Sequence, residues 1–261
     1  SAKCPVLVAP AMDLDMYRHP STTESFEKLQ SFGNIMLPAE SGELASGLSG
    51  LGRLAEPENI VKFLEDDLLK KSPLHGKKVL ITAGPTHEAL DPVRFLGNHA
   101  TGTMGFELAK TAAHLGAEVI LVSGPSQLLA THPNINQIDI TSAQEMYEAC
   151  HAHFETSNVM IAAAAVADYR PKTVSQQKMK KKKGDLTLVL ERNPDILKSL
   201  GEIKKKQFLV GFALETENEL ENAKGKLQRK NLDAIVLNTL NDKGAGFGGN
   251  TNKITFIDKN S

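Results

Sequence analysis

A glycine-rich loop between an apolar run and an alanine-rich segment carries the first chemical signal in this sequence. Residues 79–82 are typical of a buried parallel strand, and residues 105–115 are typical of a helix. Gly84 lies just past the strand, and residues 97–105 add further glycines before the helix. Free backbone N–H groups and the helix dipole at such a junction favour a bound phosphate or carboxylate. The alternative is that these glycines only turn the chain.

The spacing of this loop excludes two common nucleotide-binding motifs. It is not G-x-G-x-x-G, and the chain contains no Gly-Lys-Ser/Thr, so a Walker A loop is absent. A nucleotide- or flavin-dependent oxidoreductase with a Rossmann-like domain is a second hypothesis. It would place G-x-G-x-x-G in this loop, with an acidic residue about twenty positions further on.

Two polar side chains lie in or near the same loop. Asn98 precedes the expected helix, where a neutral amide can orient an acyl group by hydrogen bonds without adding charge. Arg94 lies four residues earlier, where it can hold a substrate carboxylate or phosphate in a bidentate grip. The structural alternatives are an Asn tolerated at positive φ in a turn and an Arg in a surface ion pair.

A carboxylate and two small residues follow a second apolar run, residues 160–167. Asp168 can hold Mg²⁺ at a nucleotide triphosphate, because hard cations take oxygen ligands, or it can hydrogen-bond a ribose. A cap of a helix or turn is an equally good interpretation of this Asp. Ala164 and Ala165 are small enough to let a base or an acyl chain approach the backbone closely.

A basic cluster, Lys178 with residues 180–183, lies in a polar stretch without helical periodicity. Such a run is usually a solvated loop. One short run in a neutral chain, without interleaved aromatics, is a poor signal for nucleic-acid binding. Phe212, at the end of a further expected strand, can flank a base, although a core aromatic is the stronger interpretation.

Composition limits the classes of protein that this chain can belong to. Its 261 residues make one large or two modest domains, and a net charge of −1 gives no field that recruits nucleic acid. Two cysteines, Cys4 and Cys150, cannot build a disulfide framework or a zinc site, which fits a reducing cytoplasm. No apolar run is long enough to span a membrane. We therefore expect a cytoplasmic protein without membrane or nucleic-acid partners.

Strand and helix patterns alternate after a linker-like stretch at residues 71–77. This order favours an α/β domain of three layers, αβα, around a mainly parallel sheet, in which ligands bind beyond the carboxyl ends of strands. We expect Gly84, Asp168 and Phe212 at or just past such ends. The expected strands are residues 79–82, 118–122, 135–140, 158–163, 208–212 and 234–237, and the expected helices are residues 105–115, 143–154 and 217–229.

Several ordered motifs closely resemble the phosphopantothenate–cysteine ligase family of coenzyme A biosynthesis. The resemblance extends over residues 77–258. Its motifs are residues 82–95, 97–105, 163–171, 178–181, 210–216, 229–233 and 246–248. Ala100 and Thr103 depart from the family pattern, because they stand where Ser and Lys are usual. A phosphate contact from these two positions is therefore less expected.

The resemblance implies a role for each candidate residue. Asn98 and Lys178 would be catalytic, with Asn98 tied to the acyl-nucleotide intermediate and Lys178 on a mobile flap that reaches the reacting phosphate. Arg94, Asn98 and Ala165 would bind the substrate, and Asp168 would also bind the metal. The nucleotide-binding positions would be Gly84, Ala164, Asp168, Asp195, Phe212 and Lys230, with cytosine read by the backbone.

The reaction implied by the resemblance consumes CTP and requires Mg²⁺. The carboxylate of 4′-phosphopantothenate attacks the α-phosphorus of CTP, and the amine of L-cysteine then displaces CMP from the acyl-cytidylate. The protein would mainly position the reactants and stabilise charge. The resemblance further implies a Rossmann-like or ribokinase-like ligase domain that forms a homodimer. A non-catalytic CTP-binding module is a third hypothesis.

The beginning of the chain resembles a different enzyme, the flavin-dependent phosphopantothenoylcysteine decarboxylase, which in many bacteria is fused in front of the ligase. The matching segments are residues 9–16, 42–47 and 50–57. Asp13 and Ser46 stand where that family usually has Asn and a catalytic Cys. We therefore expect residues 1–72 to be a carboxy-terminal decarboxylase fragment with a linker, and residues 73–261 to be the ligase domain. FMN and decarboxylation would belong only to a full-length decarboxylase domain.

Overall fold

The computed structural model describes residues 4–181, 184–215, 218–239 and 253–259. The chain divides into two compact units, residues 1–72 and residues 73–261. Three parts of the motifs quoted above lie outside the described residues: residues 182–183 of the basic cluster, Thr216, and residues 246–248. Within the described part of the chain, no helix combines the length and the apolarity needed to cross a membrane.

The smaller unit consists of short strands and three helices. Its elements are β1 (Leu7–Val8), α1 (Leu14–Arg18), α2 (Pro20–Ser31), β2 (Ile35–Met36), β3 (Glu40–Glu43), β4 (Ser49–Arg53) and α3 (Pro57–Lys70). Strands β1 and β2 pair in parallel, and β3 and β4 form an antiparallel hairpin. Asp13 is the N-cap of α1, a position that accepts Asp as readily as Asn. Ser46 is exposed in the turn of the hairpin.

The larger unit carries the remaining elements. They are β5 (Lys78–Ala83), β6 (His87–Ala89), β7 (Phe95–Gly97), α4 (Thr103–His114), β8 (Glu118–Ser123), β9 (Ile135–Asp139), α5 (Ala143–Phe154), β10 (Val159–Ala162), β11 (Tyr169–Pro171), β12 (Leu190–Arg192), α6 (Ile196–Ile203), β13 (Phe208–Glu215), α7 (Glu219–Arg229), β14 (Ala234–Thr239) and β15 (Ile254–Asp258).

Seven of these strands form one sheet in the order β15–β14–β13–β10–β5–β8–β9. All neighbours run parallel except β14 and β15, which pair antiparallel at one edge. The expected α/β fold with a mainly parallel sheet is therefore confirmed. Two small antiparallel pairs, β6 with β7 and β11 with β12, lie outside the sheet.

Helices pack on both faces of the sheet. In β5, Val79 and Ile81 pack with α4, whereas Leu80 packs in the larger core with residues of α5, α6 and α7. Strands covered on both faces are apolar along their whole length, which is why β5 and β8 were readable from sequence. Cys150 lies in the larger core, and burial raises the pKa of its thiol to about 12, so it is not a nucleophile at neutral pH.

Two residues expected at strand ends are placed differently. Phe212 lies inside β13, which continues to Glu215 because it stays paired with β14. The neighbouring strand β10 ends at Ala162, opposite Gly211, so Phe212 still lies just beyond the end of β10. Asp168 lies at the far end of the loop formed by residues 163–168, immediately before β11.

Gly105, in the first turn of α4, lets this helix pack directly on β5. A Cβ atom at this position would lie 2.5 Å from the Cβ of Ala83 and 2.9 Å from the carbonyl oxygen of Thr82. The neighbour is strand backbone, which cannot move aside. The contact places the start of α4 beside the carboxyl end of β5.

We expect Gly105→Ala to lower the free energy of unfolding. Overpacking costs about 1–3 kcal/mol, and the gain in helix propensity returns about 1 kcal/mol. The matched control is Gly225→Ala in α7, where the added Cβ would meet only the guanidinium of Arg229, at 2.7 Å. This flexible side chain can move, so the control should gain up to about 1 kcal/mol. Urea unfolding of both variants measures the difference, and a stabilised Gly105→Ala protein would contradict the tight contact.

Candidate active site

The loop after β10, residues 163–168, is fixed against the loop after β5 by backbone hydrogen bonds. The N–H of Ala165 donates to the carbonyl of Gly84 at 2.9 Å, and the N–H of Thr86 donates to the carbonyl of Ala165 at 3.3 Å. These bonds extend the parallel pairing of β5 and β10 beyond the sheet. Gly84 can make the required turn because its φ is 75°, which glycine adopts without strain.

Two buried threonine hydroxyls hold the same loop. Oγ1 of Thr82 accepts from the N–H of Ala164 at 3.2 Å, and Oγ1 of Thr86 accepts from the N–H of Ala167 at 2.9 Å. Both loop amides are therefore satisfied by side chains. The sequence motif contained these threonines, but nothing in its pattern distinguished a loop-holding hydroxyl from any other.

Asn98 is brought to this loop by a single hydrogen bond. Its Nδ2 atom donates to the carbonyl of Ala165 at 2.9 Å, and the residue is otherwise exposed. The structure thus places Asn98, Gly84 and Ala165 together in one cluster. The amide nitrogen of Asn98 is therefore engaged by the loop after β10.

The start of α4 lies beside the same cluster. Its N-cap, Gly102, has φ of 88°, makes no side-chain capping bond, and packs so closely that a Cβ would lie 3.1 Å from the nitrogen of Gly84. The hydroxyls of Thr101 and Thr103 lie 2.8 Å apart and bond to each other. At the two positions that depart from the family pattern, the chain offers a methyl group at Ala100 and an engaged hydroxyl at Thr103.

The same loop lines a cavity of about 430 Å³ with Ala164 and with residues 166–168. Five of the six positions expected to bind the nucleotide line it: Ala164, Asp168, Asp195, Phe212 and Lys230. The sixth, Gly84, belongs to the cluster with Asn98. Further lining residues include Arg192, Asn193 and Lys226, which the sequence analysis did not single out.

One ion pair spans the cavity wall between α6 and the end of α7. Nζ of Lys230 lies 2.9 Å from Oδ1 of Asp195, which also accepts from the N–H of Lys198 as the N-cap of α6. Burial alone would raise the pKa of Asp195. The hydrogen bonds from Lys230 and Lys198, and the charges of Lys230 and Lys226, outweigh burial, so the pKa is lower than usual. The carboxylate is thus ionised at neutral pH.

A second lysine, Lys226 of α7, binds the backbone of strand β13. Nζ of Lys226 lies 2.6 Å from the carbonyl oxygen of Phe212. Phe212 therefore lines the cavity with its carbonyl held by Lys226, while its partly buried ring packs against Val210 and Val236. Three cationic side chains line the 430 Å³ cavity together with two carboxylates, an excess of positive charge that suits an anionic ligand. The cations are Arg192, Lys226 and Lys230, and the carboxylates are Asp168 and Asp195.

Asp168 supplies an exposed carboxylate at the cavity. Its carbonyl accepts from the N–H of Asn193 at 2.9 Å, which holds the backbone while the side chain stays exposed. Within the described ranges, no group of three or more His, Cys, Asp or Glu side chains could hold a metal ion. One carboxylate fits an Mg²⁺ that keeps waters and takes its other ligands from phosphates, and it does not fit a protein-built metal cage.

Arg94 contacts other protein groups. Its Nε and Nη2 atoms lie 3.0 and 2.6 Å from Oδ2 of Asp91, and Nη2 donates to the carbonyl of Met179 at 2.7 Å. The Arg94 guanidinium holds the pKa of Asp91 well below its usual range, against burial, with help from the backbone N–H groups of Met179, Val93 and Arg94. Of this guanidinium, Nη1 is outside these contacts, so a substrate contact by Arg94 would use that atom.

Lys178 immediately precedes Met179 and is exposed. It belongs to residues 172–181, the lysine segment, which leaves β11 and contacts the loop of residues 90–94. Asp91 was missed by the sequence analysis. The signal that could have found it is the Asp-Pro-Val-Arg pattern, since an Asp at the start of a turn accepts from the backbone two and three residues on.

The family model for the DNA/pantothenate metabolism flavoprotein C-terminal domain matches residues 74–261. The chain belongs to this family. A second model, described as Flavoprotein, matches residues 1–69, in the smaller unit.

Curated relatives of this pantothenate metabolism flavoprotein family match nearly the whole chain. The chain is 52% identical, over 100% of its length and 74% of the relative, to a cysteine/cysteine sulfinic acid decarboxylase from an unknown prokaryotic organism. It is 49% identical, over 99% of its length and 64% of the relative, to the coenzyme A biosynthesis bifunctional protein CoaBC of Bacillus subtilis. The chain thus spans about two thirds of the length of such a relative.

A crystal structure of the C-terminal domain of a coenzyme A biosynthesis bifunctional protein CoaBC shares the fold. It is 46% identical to this chain with a TM-score of 0.60, and the match covers 72% of this chain and 84% of that one. The α/β architecture described above is therefore that of a solved family member.

Proposed function

We propose that this chain joins 4′-phosphopantothenate to L-cysteine at the expense of CTP, through an acyl-cytidylate. One observation carries the proposal. The loop of residues 163–168 lines a cavity with charged walls and also holds the side chain of Asn98 through the carbonyl of Ala165. A nucleotide bound in the cavity would lie beside Ala164, and an acyl group held by Asn98 would lie beside Ala165. The two reactants would therefore be adjacent.

The match with CoaBC proteins supports this assignment over the other two hypotheses. Those relatives are named as coenzyme A biosynthesis bifunctional proteins, and the 46% identical structure is the C-terminal domain of one. A binding module without chemistry would need the cavity only. The exact placement of an amide beside Ala165 is unnecessary for binding alone.

In the first step, a carboxylate oxygen of 4′-phosphopantothenate attacks the α-phosphorus of CTP. The bond from this phosphorus to the bridging oxygen breaks, and pyrophosphate leaves. Lys178 would neutralise charge on the phosphoryl oxygens, as a flexible lysine can, while Lys230 and Asp195 hold the nucleotide. Asp168 would hold Mg²⁺, which offsets the charge of the triphosphate when it is bound.

In the second step, the amine of L-cysteine attacks the carbonyl carbon of the acyl-cytidylate. The C–O bond to the phosphate breaks, CMP leaves with its electron pair, and the amine loses a proton to solvent. Asn98 would orient the acyl group, because its amide is held by Ala165 and carries no charge. An amide is suited to this place, since the intermediate beside it is already anionic.

The direct test is CMP and pyrophosphate release by the 261-residue chain. We expect release of CMP from CTP only when both phosphopantothenate and cysteine are present, and much weaker release of AMP from ATP. Pyrophosphate release should need phosphopantothenate but not cysteine. ATP serving as well as CTP would contradict nucleotide selection, and no nucleotide cleavage would contradict the ligase assignment.

Decarboxylation is the second candidate function. The Flavoprotein match over residues 1–69 and the name of the 52% identical relative favour it. We propose that residues 73–261 act as the ligase and that residues 1–72 alone do not sustain decarboxylation. The same samples, supplied with phosphopantothenoylcysteine, distinguish the two, because CO₂ release together with flavin absorbance would favour the decarboxylase.

Asn98 and Lys178 should fail at different steps when they are changed. Asn98→Asp replaces a donor by a carboxylate facing the carbonyl of Ala165, so the second step should slow and acyl-cytidylate should accumulate. Lys178→Gln should slow pyrophosphate release in the first step. Removal of one such group costs about 2–4 kcal/mol of transition-state stabilisation, or roughly a hundredfold or more in rate.

Rapid-quench kinetics with labelled CTP separates these outcomes. Lys181→Gln is the matched control, because Lys181 is also exposed in the lysine segment and should leave both steps unchanged. Pyrophosphate release at the parent rate in Lys178→Gln would show that this lysine is only a solvated residue. An Asn98→Asp protein with neither a trapped intermediate nor a rate loss would remove Asn98 from the mechanism.

We also propose that the ligase unit forms a homodimer through one half of its sheet. On the face opposite α6 and α7, exposed apolar side chains extend from β13 to β15 around the buried Val210 and Val236. These exposed residues are Phe208, Leu214, Ile254 and Phe256, and Phe256 is 59% exposed. A second copy can cover such an apolar face.

Sedimentation velocity tests the homodimer. The parent chain should sediment with the mass of two chains, and Phe256→Glu with the mass of one, because a carboxylate is costly to bury in an apolar contact. Phe32→Glu is the control, since Phe32 is exposed in the smaller unit and should leave the assembly intact. A parent chain that sediments as a single chain at every concentration would exclude the dimer.

A further inference from the structure

The carboxylate of Asp91 accepts more hydrogen bonds than its turn requires. Its Oδ1 atom accepts from the N–H groups of Val93 and Arg94, each at 2.8 Å, which is the ordinary pattern of an Asp that begins a turn. Its Oδ2 atom accepts from the Arg94 guanidinium and also from the N–H of Met179 at 3.0 Å. The side chain is fully buried, with 0% exposure, although Arg94 beside it is 44% exposed.

Both polar groups of the Met179 backbone are held by this pair. Asp91 accepts a hydrogen bond from the N–H of Met179, and Arg94 donates one to the carbonyl of Met179 at 2.7 Å. A third bond ties the same two segments, since the N–H of Ser175 donates to the carbonyl of Leu90 at 3.0 Å. The lysine segment is therefore fixed to the loop of residues 90–94 at two points, one on each side of Lys178.

The position of this attachment matters because Lys178 lies between the two points. Lysine has a long flexible stem, so the reach of its ammonium group depends on where its backbone is fixed. The attachment at Met179, one residue away, fixes the backbone of Lys178. The side chain of Lys178 remains free to follow a phosphoryl group. A hydrogen bond to a charged carboxylate is also stronger than one between neutral groups.

We propose that Asp91 and Arg94 are positioning residues that fix the backbone of Lys178 for the first step of the reaction, an inference that rests on the proposed ligase function. Together with Met179 they form a clasp, in which Arg94 bridges Asp91 and the lysine segment.

Hydrogen exchange tests the clasp without any assay of activity. In Asp91→Asn, an NH₂ group replaces one carboxylate oxygen, and it faces N–H donors whichever oxygen it replaces. The bond to Met179 is therefore weakened, and the Met179 N–H should exchange at least about tenfold faster. Asp185→Asn is the matched control, because it removes a negative charge from an exposed residue that also lies between β11 and β12. Parent-like exchange at Met179 in a folded Asp91→Asn protein would overturn the clasp.

A double-mutant cycle tests the action through Lys178. Asp91→Asn should slow pyrophosphate release roughly a hundredfold, as a misplaced group can, and should leave the reaction of preformed acyl-cytidylate with cysteine unchanged. In the Lys178→Gln background, the same change should cost less than about threefold, because the group that it positions is gone. Equal losses in both backgrounds, or equal slowing of both steps, would show that Asp91 only stabilises the fold.

Arg94→Lys keeps the test decisive if Asp91→Asn does not fold. Lysine retains the charge but cannot bridge Asp91 and the Met179 carbonyl as a guanidinium does. It should raise Met179 exchange and slow the first step, again with little added loss in the Lys178→Gln background. If the parent chain released no pyrophosphate, the ligase proposal would fail and the clasp would still be judged by hydrogen exchange.

Discussion

The attachment of the loop after β10 to the loop after β5 is the constraint on which the rest of the site depends. Parallel register places Ala162 opposite Thr82, and beyond that point the sheet supplies no ladder. The hydroxyls of Thr82 and Thr86 then act as acceptors for two loop amides. A buried amide left without an acceptor costs about 1–3 kcal/mol, so this loop has one stable course.

Because the backbone of this loop is held in one conformation, its neighbouring residues have different surroundings. Ala164 lines the cavity, whereas the carbonyl of its neighbour, Ala165, accepts from Asn98. Two consecutive residues therefore contact different parts of the site, the charged cavity and the neutral amide of Asn98. The glycines nearby serve the same arrangement, because Gly102 and Gly105 bring α4 close to the end of β5.

The sequence was informative where burial is continuous and local. The strands β5 and β8 and helix α5 were expected close to their observed bounds, because their apolar residues are covered on both sides or follow a helical period. The edge strand β15 and helix α6 were not expected. β15 is exposed along most of its length, and α6 is a short segment whose start depends on the N-cap Asp195.

The residues of the site likewise include some that the sequence could predict and some that it could not. Residues expected around the nucleotide came from motif resemblance, and the structure places five of them on one cavity. An ion pair was the alternative interpretation of Arg94, and Asp91 is its partner. The bond from Arg94 to the carbonyl of Met179 could not be anticipated, because Met179 lies 85 positions later in the chain. Interactions between loops of such separation leave no periodic pattern, since each partner looks like an ordinary turn or polar residue.

The strand order has a consequence for how this sheet can be assembled. β5 is its first strand in the chain, with β8 and then β9 added on one side. β10, β13, β14 and β15 are then added, in chain order, on the other side. No strand has to be inserted between two strands that have already paired. A nascent chain can therefore build the sheet outward from β5 as it emerges, and each new strand finds an open edge as its template.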